Sequence, residues 1–176
     1  KKGAKFFKVH FSRVKTFDGE SDPLGLDHIL DKDIVIITFT RKGEQRGRNP
    51  DASVVSPSLF MNSNVTTYGA VIEPIQLAVE VNPQIGKMKL EDDYVDKLEE
   101  YENLGIKEYW ILDYLAIASR SYLGNPKITT VFVYQLVDGK YQVRAFTRND
   151  KIISPTFPEL NIKVEHIINA SQIHNL

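Results

Sequence analysis

The chain has 176 residues, 42% of them hydrophobic and 26% charged, which suits one globular domain with its own core. Its net charge of −1 argues against a protein that coats nucleic acid, and the lack of Cys excludes disulfide scaffolds and thiolate metal sites. No apolar run is long enough to cross a bilayer, so the expectation is a single cytoplasmic domain over residues 1–176 with no membrane partner. The start at Lys1-Lys2 without Met suggests trimming or an incomplete amino terminus.

In chain order, Lys1 to Lys15 mixes basic residues with Phe6, Phe7, Val9 and Phe11, as a first strand or a helix end would. Asp18-Gly19 and Asp22-Pro23 mark turns. Asp33 to Thr40 is a strand by its β-branched content. Arg41 to Arg48 reads as a polar loop holding Arg41, Lys42, Arg46 and Arg48. Ala52 to Val55 follows as a short strand, expected to lie antiparallel beside Ile34–Thr40. Residues 57–70 read as polar loop.

The centre of the chain is the stretch from Glu73 to Asp113. Ile75 to Val81 is a short apolar run ended by Asn82-Pro83, a strand and too short for a spanning helix. From Leu90 the period changes. Leu90, Tyr94, Leu98, Tyr101 and Leu104 step by three and four, one stripe of a helix, and Gly105 stands where a left-handed C-cap belongs. Glu108 to Leu112 gives a second strand ending at Asp113. Two strands joined through a helix form a βαβ unit, hence a parallel pair with a right-handed crossover.

After a connection at 116–127, Val131–Val137 and Tyr141–Phe146 flank Asp138-Gly139-Lys140, a β-hairpin signal. Ile152 to Phe157, with Ser154-Pro155 and then Pro158, reads as an edge strand or loop, and Val164 to Ala170 as a short closing helix. The expected class is α/β (α+β): one mixed β-sheet with a βαβ crossover and flanking helices. His10, His28, His166 and His174 show no metal-ligand spacing.

Two residues break the local rules. Glu80 stands between Val79 and Val81 in a strand that looks buried on both faces, where a lone carboxylate costs several kcal/mol or shifts its pKa. Lys97 sits on the edge of the helical stripe, between Tyr94 and Tyr101, while Glu91, Asp92, Glu99 and Glu102 fall on the wet face. Singly, each has an ordinary explanation: an edge-strand Glu in a structural ion pair, a Lys that snorkels to water. Together, on adjacent elements, they can meet. Asp51 adds a third group, following Pro50 and opening a strand.

Two carboxylates on neighbouring strands suit a hard divalent ion such as Mg²⁺ or Mn²⁺. A nearby Lys can orient the attacking water and stabilise charge in a phosphoryl transition state. Charge is uneven along the chain: residues 1–50 hold 11 Lys/Arg against 7 Asp/Glu, and residues 71–113 hold 4 against 11. A basic half facing acidic ligands fits a phosphate backbone at a metal site, and equally fits solvated faces.

The runs Arg48-Asn49-Pro50-Asp51, Leu77-Ala78-Val79-Glu80-Val81, Asp93-Tyr94-Val95-Asp96-Lys97 and Leu104-Gly105-Ile106-Lys107-Glu108-Tyr109-Trp110 resemble the Uma2 family. So do Gly124-Asn125-Pro126-Lys127, Val133 to Leu136, and Ser154 to Leu160. The resemblance covers residues 48–170 and rests on the order and spacing of these runs. It implies a restriction-endonuclease-like PD-(D/E)XK fold and a metal-dependent phosphodiesterase. Asp51 and Glu80 would then be metal ligands together with the backbone carbonyl of Val81, and Asp51, Glu80 and Lys97 the catalytic set. The fold-wide motif puts Lys two residues after the Glu, where this chain has Asn82; Lys97 on the following helix would take that role. Tyr101, Tyr109 and Trp110 are expected in the core and Asp113 to be structural. Residues 1–45 match the family poorly, with Asp18-Gly19-Glu20 the one echo; if an amino-terminal Glu completes the site in the family, either this chain lacks it or the segment carrying it lies outside this sequence.

Three functions fit. The first is a Mg²⁺- or Mn²⁺-dependent DNA endonuclease, with Arg41, Lys42, Arg46 and Arg48 as phosphate contacts and a homodimer suited to cutting two strands. The second is an inactive module of the same fold that binds nucleic acid or protein. The third is a structural domain in which Glu80 and Lys97 are only an ion pair.

Overall fold

Short β-branched and aromatic runs become strands here because each is long enough to cross the core and is bounded by turn residues. The structure, a computed structural model, describes residues 29–31, 34–61, 70–81, 90–113, 116, 127–158 and 160–172. The readings for Lys1–Lys15, the Asp18 and Asp22 turns, Asn82-Pro83, and most of the 57–70 and 116–127 connections lie outside those residues.

Among the described residues the elements are β1 (Ile29–Asp31), β2 (Val35–Phe39), β3 (Gln45–Arg48), β4 (Ala52–Val55), α1 (Pro57–Met61), β5 (Ala70–Val71), β6 (Leu77–Val81), α2 (Leu90–Leu104), β7 (Glu108–Asp113), β8 (Thr130–Val137), β9 (Lys140–Thr147) and α3 (Val164–Gln172). A mixed six-stranded sheet runs in the order β1-β4-β6-β7-β8-β9, and a smaller sheet in the order β3-β2-β5. β6 and β7 pair in parallel across α2, as the βαβ reading requires. No helix among the described residues is long and apolar enough to cross a membrane.

Strand alternation gives the main sheet two cores. Leu77, Val79, Val81, Trp110 and Leu112 pack on one face with Phe146, Phe157 and Ile167 from the C-terminal part of the chain. Ala78, Tyr109 and Ile111 pack on the other with Tyr101 of α2, Ile36 of β2 and Ile34 just before it. β7, covered on both faces, has all six residues buried. Glu80 shares the parity of Ala78, so the sheet points it at α2.

Two terminations follow the sequence signals. α2 ends in a Schellman motif: Gly105 has φ +88°, Ile106 N–H donates to Tyr101 O at 3.1 Å and Gly105 N–H to Glu102 O at 3.0 Å. Asp138 and Gly139, at φ 50° and 77°, form the two-residue type I′ connection that pairs Val137 with Lys140.

Two expectations are corrected. β2 and β4 are not neighbours: β2 pairs with β3 and β5, and β4 pairs with β1 and β6. All four β4 residues are buried, which demands a place inside the main sheet. Nor is Arg41–Arg48 a loop throughout. Thr40 and Glu44 close a three-residue connection with Gly43 at φ +77°, and Gln45–Arg48 then pairs back on β2. Of the two readings for Ile152–Phe157, edge strand or loop, the structure has the loop.

Candidate active site

Asp51 and Glu80 come from opposed places on neighbouring strands. Ala52 pairs with Val79 in the antiparallel β4–β6 ladder, so one step further Asp51 faces Glu80. Asp51 Oδ2 accepts the Val81 N–H at 2.7 Å, which ties the carboxylate to the residue after Glu80. Buried Pro50 precedes it, with its own φ fixed by the ring.

α2 supplies the next groups. Lys97 Nζ lies 3.3 Å from Glu80 Oε1, with 20% and 15% of the two side chains exposed. One turn on, the Tyr101 hydroxyl donates to the same oxygen at 3.5 Å. The Tyr101 ring is buried and meets Tyr109 edge-on, centroids 5.0 Å apart. Burial, and after it the negative charge of Glu80, pushes the Tyr101 phenol far above its ordinary value, so it stays a protonated donor.

Glu100, absent from the sequence-based set, is buried on the same flank of α2. Arg48 Nε donates to its Oε2 at 2.7 Å and Arg48 Nη2 to its Oε1 at 2.8 Å, a bidentate pair, and Thr38 Oγ1 donates to Oε2 at 2.7 Å. Burial alone would raise this carboxyl. The hydrogen bonds from Arg48 and Thr38 and the charges of Arg48 and Arg46 outweigh it and hold Glu100 below its ordinary value. A signal for Glu100 did exist: it lies three residues after Lys97, on the stripe edge that made Lys97 conspicuous.

The four basic residues expected to meet phosphate are placed differently from one another. Arg41 pairs with Glu99, and Arg46 with Asp96 at 3.4 Å and Glu100 at 3.8 Å. Arg48 is engaged by Glu100 with 11% of its side chain exposed. Lys42 is exposed. Tyr101, Tyr109 and Trp110 are core residues, as expected, and Asp113 is fully buried.

The donor set can be tested against a divalent ion. Among the described residues no three His, Asp or Glu side chains converge as a metal cluster. What is present is oxygen-only: two facing carboxylates and the Val81 backbone. That chemistry fits a hard ion that keeps most of its waters and takes only one or two protein carboxylates.

The family model Uma2, described as "Putative restriction endonuclease", matches residues 22–165. The fold is similar to the crystal structure of a "putative nuclease belonging to DUF820" from Anabaena variabilis ATCC 29413, with a TM-score of 0.61 and 18% identity over 97% of this chain and 79% of that one. At that identity the likeness is one of fold. A search of the curated proteins found no match.

Proposed function

The chain belongs to the Uma2 family, and from that premise we propose that it is a Mg²⁺- or Mn²⁺-dependent DNA endonuclease hydrolysing phosphodiester bonds. The observation that carries this reading is the facing of Asp51 and Glu80 with Lys97 3.3 Å from Glu80. Asp51, Glu80 and the Val81 carbonyl would hold the ion. Bound there, it would lower the pKa of a water and offset charge on the phosphoryl oxygens. Lys97 would orient that water and stabilise negative charge as it develops, a role its 3.3 Å approach to Glu80 supports. Tyr101, kept neutral by burial, restrains Glu80 without competing for its charge.

Exposed Lys42, and Arg41 and Arg46 on exchange of their α2 partners, would meet the DNA backbone. A homodimer would present two such sites to a duplex.

The test is cleavage of supercoiled plasmid with Mg²⁺ or Mn²⁺, with chelator as control. We expect cleavage by the wild type and a loss of about 100-fold or more in Glu80→Gln and in Lys97→Ala. Calorimetry with Mn²⁺ should give stoichiometric heat that vanishes in Glu80→Gln. A folded wild type that cleaves neither duplex nor single-stranded DNA with either ion would sink the reading.

A second reading, an inactive nuclease-fold module that binds nucleic acid or protein, is favoured by the closeness of Lys97 to Glu80, an ion pair in its own right. It expects DNA binding unchanged by Glu80→Gln. Removing one partner of the pair should then cost several kcal/mol and removing both much less.

A further inference from the structure

Arg48 precedes Asp51 by three residues, and Glu100 follows Lys97 by three, one turn along α2. The contact between Arg48 and Glu100 therefore joins the segment that delivers Asp51 to the helix that delivers Lys97. It is a two-point contact, with parallel hydrogen bonds of 2.7 and 2.8 Å, so the guanidinium and carboxylate planes fix each other's direction as well as their distance. Thr38 of β2 adds a third bond at 2.7 Å, which ties the small sheet to the same carboxylate.

We infer that Arg48 and Glu100 are positioning residues: their bidentate pair holds α2 at the depth over β4 and β6 that sets Lys97 against Glu80. This role rests on the proposed function, because the Lys97–Glu80 contact is what it serves. It also separates Arg48 from the other basic residues of its segment. To reach a phosphate, Arg48 would have to leave a carboxylate that is 3% exposed, and the abandoned charge would stay buried with only the Thr38 hydroxyl and, at 3.8 Å, Arg46 to offset it. Lys cannot replace it, since a point charge does not form two parallel bonds.

The test uses Arg48→Lys and Glu100→Gln as backgrounds for a double-mutant cycle of Glu80→Gln with Lys97→Met, read by urea unfolding. A purely structural Arg48 lowers stability in every member of the cycle and leaves the 80–97 coupling intact. The positioning role instead expects that coupling, as a ratio of unfolding constants, to fall severalfold. Undiminished coupling in both backgrounds overturns the inference.

In plasmid cleavage, Arg48→Lys should lower kcat roughly 10- to 100-fold with KM for DNA unchanged. A raised KM with kcat unchanged would make Arg48 a phosphate contact and also overturn it. A wild type that cleaves nothing defeats the endonuclease reading, while the coupling cycle still decides the positioning role. Should Arg48→Lys fail to fold, Glu100→Gln, which keeps the size and shape of the side chain, carries both measurements.

Discussion

At Glu100 burial penalises the carboxylate while Arg48 and Thr38 stabilise it, and the second effect wins, so its folded-state pKa lies below the ordinary value. A depressed carboxyl pKa adds stability that is complete above the unfolded value, about 4.3 for Glu, and is lost as pH falls through the folded value. Urea unfolding from pH 7 to pH 3 should therefore show a steeper acid loss in the wild type than in Glu100→Gln. Equal slopes would mean that another carboxylate governs the acid limb. At this scale the sequence was informative where a charge interrupts an apolar pattern. Glu80 and Lys97 did so and proved to touch. Glu100 shares the stripe edge of Lys97, which marks it as unusual, but the partners that let it be buried, Arg48 and Thr38, lie 52 and 62 residues away in the chain. No local pattern encodes that pairing.

Among the elements, α2 is the one whose ends matter most, because a shift of a turn would carry Lys97 away from Glu80. Its C-cap residue Gly105 sits at φ +88°, and an added Cβ would meet Pro74 Cβ at an ordinary 3.8 Å. The cost of Gly105→Ala is thus backbone strain alone, about 1–2 kcal/mol. Differential scanning calorimetry of the variant checks it, and an unchanged Tm would show that the cap gives way freely. The strand-helix-strand unit and the Asp138-Gly139 hairpin were legible because period, cap and turn residues agreed at each. β3 was hidden by its composition. Gln45, Arg46, Gly47 and Arg48 lie on a sheet edge with three exposed positions and no apolar alternation. Chain proximity suggests β2 as the partner of β4, but its four consecutive buried residues are the mark of an inner strand.

For the molecule as a whole, the main sheet separates two cores, with Trp110 in the one remote from α2. Trp110 is the only Trp in the chain, fully buried, and its indole N–H donates to the buried carboxylate of Glu108. Trp110→Phe removes that donor and leaves a cavity, a combined loss on the order of 2–4 kcal/mol. Urea titration followed by circular dichroism measures it, and a loss under about 1 kcal/mol would mean that Glu108 finds another donor at once. In the wild type, Trp fluorescence and circular dichroism should report one transition, since β7 belongs to both cores.

The helix between those strands, LEDDYVDKLEEYENL, has seven acidic side chains and one Lys, with no basic residue in its last turn. As a free peptide it would be disfavoured by repulsion among its acids and by a C-terminal dipole end that no cation offsets. The cations that quiet it all arrive from elsewhere in the chain: Arg41 from the β2–β3 connection, Arg46 and Arg48 from β3, and Lys140 from β9. During refolding, α2 is therefore expected to form with or after the sheet, and substitutions on its exposed face should change the unfolding rate more than the folding rate. The one order of events that its charges disfavour is helix first.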